Sequence, residues 1–462
     1  MADLKLKIKF SSELELLVTP TNYLKDFGFD AALDDSLEQV VGKIQSRECL
    51  FTLDNSTDLF TPESSELYKG FIKEGLEIQA FDGDLPLGTY YVTEWYTPLD
   101  SVKTTASVRA SDRLHFILNQ PVSIVGVYKG LKVKEYLRKV FNSVGVHDSE
   151  LVIDETLNQL LNYSVVEGQN LSDVLNAVCT SAFCNIFVDN ENRIVARSRE
   201  AQKGATKVFS DLTNIVRLEV SKSLLNEAQG LKMGYSASAV SDVIELTSLK
   251  SYTVQNGEIE IPNLTFGNNT AFDIDKIMLS TTDCTARVTG YISDSNKISI
   301  FLSVEGIPDV EAPEEPPTDD SPTDVTPTDT SPTDEPVMVA GEATIDLVVY
   351  GRTIVATEAF VERQSSVHGT KILSIDSPLT YTLKDAETLC EKYWSIVQLP
   401  LPFIRFDALV SDFSYNLGDM CEVDVQTRNL KFFGYIHSIN YEFFGGAGVS
   451  CTVGVKYLKA TQ

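Results

Sequence analysis

The stretch ECLFTLDNSTDLFTPESSELYKGFIKEGLEIQAFDGDLPLGTYYVTEW, residues 48–95, decides how the rest of the chain is read. Cys49, Phe51 and Leu53 alternate with Leu50 and Thr52, the period of a pleated strand rich in β-formers. Asp54-Asn55-Ser56 stops that strand, because short polar side chains bond to their own backbone in turns. A polar loop with Pro62 leads through Leu67-Tyr68 and Phe71-Ile72 to Gly75. There a second alternating run begins, Leu76, Ile78 and Ala80. Residues 82–88, DGDLPLG, turn the chain into a third strand that ends near Trp95. Closely spaced strands with such turns make one antiparallel sheet.

Working outward, Leu4, Leu6, Ile8 and Phe10 alternate with Lys5, Lys7 and Lys9, a half-buried strand with a solvated lysine face. The next run, Leu14, Leu16 and Val18, keeps its apolar face only if a three-residue turn sets Phe10 opposite Leu14 and Lys9 opposite Glu15. Residues 33–41 fit helix and strand equally. A further alternating segment runs over 104–109, and Ala110 to Leu114 follow it.

From Val127 the texture changes. Val133, Leu137, Val140 and Phe141 form one helical stripe after Gly130-Leu131. Leu171, Val174, Leu175, Val178, Cys179 and Ala182 form another, with Asn170 placed to cap it. Strands at 185–188 and 193–197 flank Asp189-Asn190-Glu191-Asn192, a hairpin signal. Strand texture returns over 208–303, in runs such as 215–220, 231–233, 258–261 and 297–303. It stops at a proline-rich stretch, 307–336, with a five-residue repeat (Ser321-Pro322-Thr323-Asp324, Thr326-Pro327-Thr328-Asp329, Ser331-Pro332-Thr333-Asp334) and ten acids without a base. Proline and like charges extend a chain, so this stretch reads as an exposed, disordered insertion within one β domain. After it come strands at 344–350 and 353–356. A helix follows at 384–397, with Ala386, Leu389, Cys390, Tyr393, Trp394 and Val397 on one side and Pro400 and Pro402 beyond its end. The chain closes on Leu417-Gly418-Asp419 and a strand over 420–425. Next come KFFGYIHSINY (431–441), a turn at Gly445-Gly446-Ala447-Gly448, and a last strand, 449–455.

With 462 residues and 43% apolar content, the chain supports two or three globular domains. A net charge of −28 repels phosphates and excludes sequence-reading nucleic-acid binding. Seven cysteines lack C-x-x-C spacing and read as buried thiols. No apolar run reaches the length needed to span a bilayer, and 1–9 lack the core of a signal peptide. Chemistry is sparse. His115, His147, His368 and His437 are isolated, and no zinc spacing, phosphate loop or nucleophile elbow is present. Asp54, Asp82 and Asp84 could hold calcium, yet no twelve-residue calcium loop accompanies them, and turn chemistry accounts for them. No catalytic, cofactor or metal residues are therefore assigned, and no enzyme is expected.

The strand ending Leu53-Asp54-Asn55, the Phe60-Thr61-Pro62 loop, the Leu67-Tyr68-Lys69-Gly70 step, Lys73-Glu74-Gly75 and Pro86-Leu87-Gly88-Thr89-Tyr90-Tyr91-Val92 resemble the opening domain of bacteriophage tail hub proteins. The helix after Gly168 with IFVDNENRIVAR (186–197), and the closing LGDMCEV (417–423) and FFGYIHSINY (432–441), are similar to the middle unit and closing hairpins of the same family. The resemblance implies a mainly β chain of two tail-tube-like antiparallel barrel or sandwich domains with an α/β domain between them. On that reading 1–126 is the first tube-like domain, 127–206 the α/β domain, and 207–306 with 337–462 the second. It further implies a homotrimeric ring at the tail tip or baseplate of a virion, assembled in the host cytoplasm. Such a ring caps the tail tube, touches distal tail and tape-measure proteins, anchors spike or fibre proteins, and passes DNA through an acidic lumen. Contractile injection systems use the same family. A tail-tip carbohydrate-binding protein and a tail-associated cell-wall hydrolase are the competing expectations.

Overall fold

A computed structural model of the chain describes residues 3–33, 43–98, 104–122, 127–128, 131–161, 164–165, 169–200, 207–222, 228–267, 271–293, 296–311, 338–364, 371–398, 402–408, 415–443 and 449–457. The ambiguous run 34–41, the acidic stretch from 312 to 336, His368 and the turn at 445–448 lie outside them.

The opening segment forms β1 (Leu4–Lys9), β2 (Glu15–Val18), β3 (Leu24–Ala32), β4 (Glu48–Asp54), β5 (Glu77–Asp82), β6 (Leu85–Tyr96) and β7 (Thr105–Ser111). In β1 Leu4, Leu6 and Ile8 are buried, while Lys5, Lys7 and Lys9 pair with Asp3, Glu15 and Glu77 at 2.6, 2.7 and 2.6 Å. Lys9 stands opposite Glu15, and the Phe10 N–H donates to the Leu14 carbonyl at 2.9 Å. The three-residue turn is therefore the one adopted, because the apolar face demands it. In β4 Cys49, Phe51 and Leu53 point inward as the alternation requires.

Next come α1 (Arg113–Ile117), β8 (Val127–Tyr128), β9 (Leu131–Lys132), α2 (Val133–Ser143), β10 (Leu151–Ile153), β11 (Leu160–Leu161), β12 (Ser164–Val165), α3 (Leu171–Ala182), β13 (Cys184–Val188) and β14 (Ile194–Ser198). The predicted stripes are the buried faces of α2 and α3, and both pack in one cluster with Ile186, Val188 and Ile194. Asn170 occupies the cap position of α3, but its side chain makes no capping bond. Its backbone carbonyl accepts from Asp173 and Val174 instead.

The remaining elements are β15 (Lys207–Ser210), β16 (Ile215–Lys222), β17 (Gly230–Val240), β18 (Ile244–Val254), β19 (Gly257–Thr265), β20 (Ala271–Thr282), β21 (Thr285–Ser293), β22 (Lys297–Glu305), β23 (Val310–Glu311), β24 (Met338–Val339), β25 (Ala343–Gln364), β26 (Ile372–Ser377), α4 (Leu383–Val397), β27 (Pro402–Ala408), β28 (Met420–Val425), β29 (Leu430–Phe443) and β30 (Val449–Tyr457).

Contacts divide the chain into one unit of Met1–Ile124, Tyr128–Ala237 and Thr357–Gln462 and a second of Val125–Val127 and Ser238–Ala356. In the second, β22 lies between β19 and β21, and β25 between β18 and β20. Ile298, Ile300 and Leu302 share a core with Ile345, Leu347 and Val349. Both flanks of the acidic stretch, β22 and β25, belong to this core, and β23 pairs with β24 across its base. The sequence reading put 207–306 and 337–462 into one domain. The contacts instead give Ser238–Ala356 a core of its own and join β15, β16 and β27–β30 to the opening strands.

In the first unit thirteen strands form one sheet whose main path is β16-β27-β30-β29-β3-β4-β7-β6-β5-β1-β2, with β28 on β29 and β15 on β28. Opening and closing segments repeat one plan. The N-terminal half of β6 pairs with β5 over six residue pairs, and its C-terminal half with β7, which leads to β4 and β3. Likewise β29 pairs with β28 over six residue pairs and with β30, which leads to β27 and β16. The segments meet where Ser438 to Phe443 pair with Ala32 to Phe27. There Tyr441 stacks on Phe29 at 5.5 Å, within one apolar cluster fed by both segments. Beside it α4 packs on β17 and β26, with Tyr393 edge-on to Phe183 at 4.9 Å.

Candidate assembly surface

The turn between β13 and β14 is where the α/β elements meet both strand sets. Asp189 shapes it, because its carboxylate accepts from the Glu191 and Arg193 N–H groups at 3.0 and 2.9 Å and from Arg193 Nε at 2.8 Å. From the opening side the buried Arg47 reaches in. Its Nη1 donates to Asn190 Oδ1 at 2.8 Å and to the Leu87 carbonyl at 2.9 Å, and its Nη2 to the Val188 carbonyl at 3.2 Å. Asn192 Nδ2 donates to the Tyr91 hydroxyl at 3.0 Å. From the closing side Asn416 Oδ1 accepts from the Asn190 N–H at 3.2 Å. Asp419 holds the Asn416 N–H at 2.7 Å and Arg197 Nη1 at 2.9 Å, and that guanidinium lies over the Phe187 ring. Gly418, at φ +76°, makes the turn that lets Asp419 face Arg197.

Asp112 completes this joint. One carboxylate oxygen accepts the Arg47 N–H at 2.8 Å and the other caps α1 through the Leu114 N–H at 2.9 Å. Burial nevertheless pushes its carboxyl up to about 6, against the opposing pull of Arg47 and the backbone donors. Gly88, at φ +147°, passes so close that a Cβ there would sit 2.8 Å from Arg47 Nη1 and 3.0 Å from the Tyr90 hydroxyl.

The sheet face opposite the core is a charged, open trough. One part, about 780 Å³, runs over β3, β29 and Arg405, lined by Asp30, Glu48 and Asn440. A second, about 480 Å³, continues over Asp26, Glu48, Glu442 and Arg109. A third includes Arg217, Glu219, Arg405 and Asp407. Carboxylates outnumber guanidinium groups along it, so its field is negative.

The residues considered for chemistry stand apart from one another. His437 is buried in β29, and His115 and His147 are not; among the described residues no group of three potential metal ligands occurs. Asp54 bonds Lys25 first and the Ser56 N–H second, which hold its carboxyl down to about 2. Asp82 accepts the Asp3 N–H. The thiols of Cys49, Cys179, Cys184, Cys390 and Cys421 are buried, and burial pushes that of Cys421 up to about 12. Sequence reasoning missed Arg47, Asp112, Asn190, Asn416 and Arg197. Only the Asp-Asn-Glu-Asn turn and the Leu-Gly-Asp turn carried a signal for this joint, and both were read as local turns.

No protein-family model matches the chain, and no curated protein is similar to it in sequence. Its fold is similar to that of the 43 kDa tail protein of prophage MuSo2 from Shewanella oneidensis. The identity is 11%, 98% of each chain is covered, and the TM-score is 0.55. It is also similar to that of the tail protein from Neisseria meningitidis MC58, with 7% identity, 98% and 96% coverage and a TM-score of 0.53. At these identities the likeness is one of fold.

Proposed function

We propose that this chain is a structural tail hub, three copies of which close a ring that caps a tail tube and anchors tail-tip proteins. The observation that carries this is the repeat of one strand plan in the opening and closing segments, joined in a single sheet. Two such sets per chain give three chains six matching positions around an axis, which suits a sixfold tube. The fold likeness to two tail proteins agrees with a tail role. The negative trough over β3, β4 and β29 would line the channel, since like charge denies passing DNA a binding site. The tube, the tape-measure protein and spike or fibre proteins are its expected neighbours, in a virion's tail tip or baseplate built in the host cytoplasm. The scattered histidines and paired carboxylates suit a part that works by contact and not by catalysis. Native mass measurement of the full chain, with labelling of its position in intact particles, tests this. Three copies on the tail axis is the expected result, and a copy number other than three or an off-axis position refutes it.

A further inference from the structure

We infer that β16 of one copy adds, antiparallel, to the free C-terminal margin of β6 in the next copy; this rests on the ring proposed above and assigns its junction. Neither margin has a second strand neighbour among the described residues. β16 has β27 as its single strand neighbour. On β6, residues beyond Tyr91 have β7 on one side, while on the other β5 ends at Tyr91 and the Val92 backbone is taken by Gly75 and Leu76.

The internal junction supplies the template. β29 matches β6: on the side away from β30 its N-terminal half carries β28 and its C-terminal half carries β3. On β6, the side away from β7 carries β5 along the N-terminal half, and beyond Val92 it carries no strand among the described residues. In the repeated plan β16 holds the place of β3. The strand missing from β6 is therefore a β16, and its own chain's β16 lies at the far end of the path.

Strand direction distinguishes this margin from the other free edge. From β16 to β6 the path holds eight strands, each antiparallel to the last. Its ends run in opposite directions, so rotation about an axis along the strands brings β6 and β16 together antiparallel. From β16 to β2 the path holds eleven strands, which makes that junction parallel and weaker per residue.

Chemistry matches across the same line. On the core side Val220 of β16, two residues on from the core-packed Leu218, is 45% exposed, and the half-buried Trp95 stands at the margin of β6. On the trough side Arg217 and Glu219 of β16 would meet Glu94, which pairs with Arg109 at 3.3 Å. Apolar meets apolar and each acid meets a base, while the open edge that invites aggregation is closed.

The test places cysteines on exposed side chains. In the full chain, Tyr96→Cys is combined in turn with Arg217→Cys and Glu219→Cys, which share its trough-side face, and oxidised with diamide, with each single variant as control. Disulfides need Cα atoms within about 7 Å, so only adjacent strands cross-link. Covalent dimers and trimers from a Tyr96 pair, absent from the single variants, are expected. Three copies by native mass without these cross-links, or with cross-links from Leu17→Cys and Arg217→Cys instead, overturn the junction and leave the ring standing. A chain that native mass spectrometry finds monomeric at every concentration overturns the ring itself.

Discussion

Replacing Arg47 with methionine should loosen the α/β elements from the opening strands while leaving most of the sheet intact. The guanidinium is 4% exposed and donates to Leu87, Val188 and Asn190. Methionine fills a similar volume but leaves three buried acceptors without this donor. Removing one partner from a buried charged network costs about 3–5 kcal/mol, less any relaxation, so about 3 kcal/mol is expected here. That equals roughly a hundredfold larger opening equilibrium, since each 1.4 kcal/mol is about tenfold. Native-state hydrogen exchange of the amides in β13 and β14 reads it directly, as those amides report local opening. Arg109→Met is the control. Its ion pair with Glu94 lies on the surface, where such pairs contribute about 0–1 kcal/mol. If exchange in β13 rises less than tenfold in R47M, or equally in R109M, Arg47 is no joint and the argument fails.

Gly88→Ala should destabilise by about 1–3 kcal/mol, measured as a lower urea midpoint, because its φ of +147° and the 2.8 Å approach of Arg47 leave no room for a Cβ. In the R47M background the same change should cost less, as one of the two crowding groups is gone. Asp112 should make stability fall with rising pH. Its folded value, about 6, lies above the ordinary carboxylate range, so between roughly pH 4 and 6 the folded chain holds a proton the unfolded chain has lost. The contribution is complete below that window and gone above it, up to about 3 kcal/mol. Asp112→Asn should flatten this slope in urea titrations at several pH values. An unchanged slope rejects the assignment.

Local order was legible because it follows from side-chain period. The turn at Phe10–Leu14, the inward face of β4, the stripes of α2, α3 and α4 and the hairpin at 189–192 all follow from alternation or helical spacing. Three features were not legible. Asp112 starts a five-residue helix too short to show a stripe. The separate core of Ser238–Ala356 follows from how β22 and β25 pack with each other, and their alternation looks the same in any sheet. The joint around Arg47 gathers residues from five distant stretches, and no local pattern marks an arginine whose partners are mostly backbone carbonyls. Asn170 shows the converse, a good capping residue in the right place whose side chain is not used.

The repeated strand plan also explains why the chain's two ends must meet. Asn440 Nδ2 donates to Asp30 at 2.5 Å across a separation of 410 residues, so the pairing of β29 with β3 forms only once nearly all the chain exists. Until then β3 is an open edge backed by Phe27 and Phe29, the kind of edge that aggregates. Long-range pairing of this sort is slow because the ends must be brought together before any bond rewards it. The joint at 189–192 lessens that difficulty. It holds Arg47 and Tyr91 from the opening strands on one side and Asn416 on the other, and Asn416 lies a few residues before β28. An α/β element docked on the opening strands thus presents a seat for the closing hairpin and delivers β29 to β3 as a nearly local event. The middle of the chain is on this account a spacer that sets the register between two copies of one plan, and the strands on either side of the acidic stretch belong to the other unit's core, apart from that register.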